Sequence, residues 1–222
     1  MAIAKTVFTS TTQAGNGTEV YAFLNANKSG YFDSVTQDES GNITCTVGGV
    51  DCLKLGFDGS ANSVRITAAN GTVSRNYWSA RKWEYAYVTS KGLWLYSNIL
   101  IGYVSPNPIS VFITKTNADD TAIVAIYDAD SSSSEAFVTA DILNDSVTVR
   151  YIGNGIYASG SNARVVYPSG VTTLTQIPLT AAGTSYAPYL YFTQFSQYPF
   201  TPSELTVGTT QYVYDGRIAL RE

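Results

Sequence analysis

Most of the chain runs in a two-residue rhythm. Short segments alternate apolar residues with Ser, Thr, Asn or Lys, and Asn-Gly, Asp-Gly, Gly-Gly and Lys-Gly signals cut them apart. This alternation predicts strands over 3–9, 42–47, 50–57, 63–68, 83–89, 93–100, 109–115, 121–127, 136–140, 146–152, 164–167, 171–179, 189–195 and 211–220. One stretch breaks the rhythm. After the polar loop around Gly15-Asn-Gly17, Thr18 is placed to cap a helix and Glu19 suits its positive end. Val20, Phe23 and Leu24 then share a face before Ser29-Gly30 stops it. The predicted fold class is therefore mainly β: an antiparallel β-sandwich or barrel-like set of sheets with one short N-terminal α-helix at about 18–29. Candidate seams fall at 102–108, with Ser-Pro-Asn-Pro, and at 128–134, with its run of serines. Each is short for a mobile tether. A division near residue 105 gives an N-terminal β part, 1–105, carrying the helix, and a C-terminal antiparallel part, 106–222, packed closely on it.

Two hairpins can be given a register from their turns. Gly48-Gly49 pairs Val47 with Val50, Thr46 with Asp51 and Cys45 with Cys52, the last at a hydrogen-bonded site where side chains stand less close. The cysteines read as two small buried apolar groups, while a disulfide is geometrically open but disfavoured by cytosolic synthesis. Asp215-Gly216 pairs Tyr214 with Arg217 and Tyr212 with Ala219, and the strand ending at Arg221-Glu222 is expected to be docked.

Composition narrows the function classes. Hydrophobic residues make up 45% of the chain but charged residues only 14%, so solubility rests on Ser, Thr, Asn, Gln and Gly, or much surface is covered in an assembly. A net charge of -4 disfavours duplex nucleic acid and anionic lipid as partners. Met1-Ala-Ile-Ala-Lys5-Thr has no apolar signal core and no run reaches the length of a membrane span, so synthesis in a cytosol is expected. The chain has 0 histidines, which removes the commonest proton-transfer side chain and a common metal ligand. No Gly-x-Ser-x-Gly elbow, zinc-ligand spacing or phosphate-binding loop is present, so no cofactor, metal or catalytic residue is assigned.

The richest candidate site is aromatic. Trp78, Trp83 and Trp94 stand with Tyr77, Tyr85, Tyr87 and Tyr96, beside Arg75, Arg81 and Lys82. Trp78, Arg81, Trp83, Tyr85, Tyr87 and Trp94 are the candidate binding or interface residues. If Trp83, Tyr85 and Tyr87 occupy one strand, their rings project from one face as a platform for stacking a sugar or single-stranded bases; the acidic balance favours the sugar, so a glycan- or host-receptor-binding module is the alternative function. The same rings can instead pack over the helix or fill a subunit interface. Asp119-Asp120 and Asp128-x-Asp130 have carboxylates for a hard cation but lack an EF-hand's turn glycine and closing Glu, and Asx turns at solvated strand ends explain them. A glycosidase needs only paired carboxylates, for which Glu84 with Asp51, Asp58 or Glu135 is the candidate set. Against that stands a Glu84 that is simply an outward-facing strand residue paired with Lys82 or Arg81.

Gly30-Tyr-Phe-Asp-Ser-Val-Thr36, Asn42-Ile-Thr-Cys-Thr-Val-Gly48, Val111-Phe-Ile-Thr-Lys-Thr-Asn117 and Tyr212-Val-Tyr-Asp-Gly-Arg-Ile-Ala-Leu220 together resemble segments of virion structural proteins of tailed bacteriophages and prophages. The resemblance implies a non-enzymatic head, neck, tail or baseplate subunit, located in the virion after synthesis in the bacterial host cytoplasm. It also implies a homo-oligomer that contacts other virion proteins. None of the matching segments contains a catalytic residue to carry over.

Overall fold

Strands dominate, as the alternation predicts, and they are antiparallel throughout the described pairings. The computed structural model describes residues 3–57, 61–79, 82–97, 109–129, 134–144, 148–153, 155–159, 164–165, 174–179, 184–192, 201–215 and 218–222. β1 (Ala4–Val7) leads into α1 (Gln13–Ala26). The helix begins earlier than the sequence reading places it. Thr12, not Thr18, is the N-cap and accepts from the Gly15 N–H at 3.1 Å, while Thr18 donates to the Ala14 carbonyl within the helix. Gly15 and Gly17 read as loop residues, yet both lie inside α1, where a Cβ on Gly17 would come within 3.1 Å of the Gly41 carbonyl and the Phe57 ring. Glycine there costs helix propensity of about 1 kcal/mol but lets the helix axis approach the neighbouring sheet. Glu19 does not sit in the first turn. It reaches back to accept the Thr9 and Ser10 N–H groups.

The next strands, β2 (Ser34–Gln37), β3 (Ile43–Val47), β4 (Val50–Phe57), β5 (Ala61–Thr67) and β6 (Val73–Ser79), form a five-stranded meander in sequence order. The Gly48-Gly49 turn has both residues at positive φ, 56° and 80°, as a tight two-residue hairpin requires. Beyond Thr46 opposite Asp51 a bulge intervenes, so Cys45 faces Leu53 and not Cys52. Both thiols are free and buried, and the Cys52 thiol donates to the Cys45 carbonyl.

β7 (Tyr85–Val88), β8 (Gly92–Ser97), β9 (Ile109–Lys115), β10 (Thr121–Ala129), β11 (Ser134–Asp141), β12 (Thr148–Gly153), β13 (Gly155–Ser159) and β14 (Arg164–Val165) follow in a second meander. β1 adds to its β7 edge, making a nine-stranded sheet. The seam expected near residue 105 falls between β8 and β9, which pair in register from Gly92 opposite Thr114 to Ser97 opposite Ile109, so this sheet continues across it. Last come β15 (Thr175–Pro178), β16 (Tyr186–Phe192), β17 (Ser203–Val207), β18 (Thr210–Tyr214) and β19 (Ile218–Arg221), in spatial order β15-β16-β19-β18-β17. β19 is thus an inner strand of its own sheet. Its register is two residues from the expected one, with Tyr214 opposite Ala219 and Tyr212 opposite Arg221, because Asp215 closes a longer turn by accepting the Ile218 N–H. An even slip keeps every side chain on its face.

The three sheets form layers with the nine-stranded sheet in the middle. One core contains α1, the β2–β6 meander and one face of the central sheet, through residues such as Val20, Leu24, Leu53, Ile66, Leu95, Val111 and Ile123. A second core lies between the other face and the β15–β19 sheet, through Tyr87, Trp94, Phe112, Val124, Leu190, Val213 and Leu220. A central sheet covered on both sides explains why β8 is buried along its whole length.

Candidate functional site

Trp83, Tyr87, Trp94 and Tyr96 all lie buried inside the chain, but they divide between its two cores. Trp83 precedes β7 and is not part of it, so the strand alternation that would align it with Tyr85 and Tyr87 does not reach it. It is 1% exposed and belongs to the first core, held by Asn16 of α1, whose side-chain amide donates to the Trp83 carbonyl and accepts the Trp83 N–H, both at 2.8 Å. Tyr87, 3% exposed, lies in the second core. The three rings therefore do not form one solvent-facing platform, and the stacking face expected from the sequence is corrected on this point.

Instead, cross-strand register builds a ladder across the second face of the central sheet. Tyr87 stands opposite Trp94, and Trp94 opposite Phe112. Their ring centroids are 5.8 and 4.5 Å apart. In the next row Tyr85 stacks on Tyr96 at 6.1 Å, and Tyr96 meets Trp94 edge-on. Lys5 of β1 caps the row with its ammonium 4.0 Å above the Tyr85 ring. The Tyr87 hydroxyl donates to the Pro202 carbonyl at 2.9 Å, which ties the segment before β17 to the central sheet. Burial, with Tyr85 beside it, pushes the Tyr87 phenol above its ordinary range. Trp78 lies on β6 opposite Asn62, in a different sheet, and its side chain is outside the description, while Arg81 lies outside the described residues.

The carboxylates divide differently from the expectation. Asp51 is exposed and pairs with Lys54 at 2.7 Å. Glu84 is half-buried just before β7, with its backbone bonded to Phe8 and Tyr96. Asp58 and Asp130 lie outside the described residues, as do the side chains of Asp128 and Glu135. Asp119 occupies the left-handed region, φ 64°, in the β9–β10 turn, but Asp120 next to it is not a solvated turn residue. It turns inward, 9% exposed, and accepts the Thr121 and Leu143 N–H groups at 2.7 Å each.

Asp120 meets a carboxylate that the sequence reading did not single out. Asp141, at the end of β11, is 2% exposed and accepts the Ser185 hydroxyl at 2.8 Å. The Asn144 amide bridges the two acids at 3.4 and 3.5 Å. Ser185 leads into β16, and the Asn117 side chain accepts the Tyr186 N–H at 3.0 Å while its backbone N–H donates to the Tyr186 carbonyl. Burial, then the hydrogen bond and charge of Asp120, raises the Asp141 carboxyl to about 6. The two acids lie together at the corner where the central sheet meets the β15–β19 sheet, joined by Asn144 and tied through Ser185 to β16. The only sequence signal was an acid enclosed by Ala140 and Ile142 in an otherwise apolar run.

Burial raises the Cys45 thiol, and lifts Cys52 to about 12, so both stay protonated and poor as nucleophiles or metal ligands. Among the described residues, no group of three or more His, Cys, Asp or Glu side chains gathers as a metal site. No described helix is long and apolar enough to cross a membrane. Comparison with family models, curated proteins and solved structures finds no match to this chain.

Proposed function

We propose that the chain is a non-enzymatic structural subunit of a bacteriophage particle, made in the host cytoplasm and assembled into the virion as a homo-oligomer that touches other virion proteins. One observation carries this reading. The Tyr87, Trp94, Tyr96 and Phe112 rings and the Asp120–Asp141 carboxyls, groups of the kind a lectin or a hydrolase would present to solvent, join the chain's own layers, while β1 and β17 remain as exposed sheet edges. A low charge content and polar, uncharged surface suit a subunit whose surface is covered by neighbours. The likeness of the four quoted segments to virion structural proteins supports the same class. Quantitative mass spectrometry of purified particles from a lysate is the test. The reading expects this chain in a fixed copy number per particle, and its absence from purified particles contradicts it.

A further inference from the structure

An open sheet edge offers unpaired N–H and C=O groups to any extended strand, and monomeric proteins blunt such edges with proline, bulges or charged side chains, lysine above all. β1 and β17 carry one such charge each, Lys5 and Glu204, which a partner strand must match. β1 is exposed at every residue, with Val7 at 55%, and β17 ends on Val207 at 43%. Neither contains proline, and both pair with their inner neighbours without a bulge. The Tyr87–Pro202 bond sets the start of β17 under β7, the strand next to β1, so the two edges lie on one side of the molecule, one in each layer.

The direction of the free backbone groups follows from the register. Phe8 donates to Glu84, so Phe8, Thr6 and Ala4 turn their N–H groups toward β7, whereas Lys5 and Val7 turn theirs outward. Val207 and Thr210 flank a two-residue turn and bond to each other, so Glu204 and Thr206 are the outward residues of β17. The charges on these edges are complementary between layers. Lys5 points from the central sheet over Tyr85, and Glu204 shares the face of Val213, a residue of the second core, so both lie on the facing sides of the two sheets, at their exposed rim. Among the described residues neither is in an ion pair.

We infer that this two-layered edge binds a second copy of the chain, β1 against β1 and β17 against β17, antiparallel about a twofold axis normal to the sheets. This rests on the homo-oligomer reading and names its surface. Lys5 of one copy stands opposite Val7 of the other, which avoids facing lysines, and Glu204 stands opposite Thr206. Both sheets continue across the axis, and the lysines of one layer face the glutamates of the other.

The register makes Thr6 meet Thr6 of the second copy at a non-hydrogen-bonded site, with Cα atoms about 4.5 Å apart, within disulfide reach. Thr6→Cys should cross-link into a covalent dimer under mild oxidation, and the native thiols are buried and do not compete. Val7→Pro with Thr206→Pro removes outward donors from both edges and should halve the sedimenting mass while leaving the far-ultraviolet circular dichroism unchanged. If the proline variant unfolds, the Thr6→Cys cross-link decides. An oligomeric wild type whose Thr6→Cys variant stays uncross-linked overturns this surface and leaves the homo-oligomer reading standing. A wild type that sediments as one subunit at every concentration overturns both.

Discussion

The two faces of the central sheet are built from different materials. Toward α1 and the β2–β6 meander it presents aliphatic side chains, Leu93, Leu95, Val111, Ile113, Ile123 and Val138, with Phe8 and Trp83 at its β1–β7 end, Trp83 fixed by Asn16. Toward the β15–β19 sheet it presents the Tyr87, Trp94, Tyr96 and Phe112 ladder and, at the Asp120–Asp141 corner, hydrogen bonds in place of apolar contact. The first interface is thus held by shape-matched burial, which is insensitive to pH. The second depends on a few large rings and on a buried carboxyl, Asp141, whose pKa burial raises. Cohesion of the C-terminal sheet is the more easily tuned of the two.

The strongest way to break this comparison is to empty the ladder. Trp94→Ala removes a fully buried ring touching Tyr87, Tyr96 and Phe112, and should cost about 3–5 kcal/mol in denaturant unfolding. Leu95→Ala, its neighbour facing the other core, should cost about 2–4 kcal/mol. A Trp94→Ala loss under 1 kcal/mol would mean the second face is not packed as described. Asn16→Ala leaves the buried Trp83 N–H and carbonyl without their amide partner and should cost about 1–3 kcal/mol, measured the same way.

The carboxyl corner gives a smaller, signed effect. The folded chain keeps the Asp141 proton up to about 6, whereas the unfolded chain loses it near the ordinary 3.8. Between those values the folded state binds more protons, so this contribution is fully present below pH 3.8 and is lost as pH rises through about 6. Asp141→Asn keeps acceptors for Ser185 and should flatten the slope of stability across that window, raising stability at pH 7 by on the order of 1 kcal/mol. A slope unchanged by the substitution would remove Asp141 from the joint. Smallest of all, Tyr87→Phe deletes the bond to Pro202 and should cost about 1 kcal/mol in the same unfolding assay.

How much of this the sequence disclosed depended on whether the deciding contact was local. β4 and β9 match the expected boundaries because alternation and turn glycines are properties of neighbouring residues. α1 was placed too late because Gly15 and Gly17 carry a loop signature, and the reason they sit in a helix, the approach to Gly41 and Phe57, lies across the fold. The Cys45 register missed a bulge for the same reason, since nothing in the turn announces the extra residue at Cys52. Among the aromatic residues, their gathering was legible but their facing was not. Trp83 parts from Tyr85 because strand β7 starts after it. The Asp120–Asp141 contact spans separate turns, and only the enclosure of Asp141 between Ala140 and Ile142 hinted at a buried acid.

The central claim is that this chain acts through contact between copies, and the mass of the native protein in solution tests it most directly. Multi-angle light scattering across a concentration series at neutral pH should return a whole-number multiple of the subunit mass, falling toward the single subunit only on dilution. A single-subunit mass at every concentration would contradict the account.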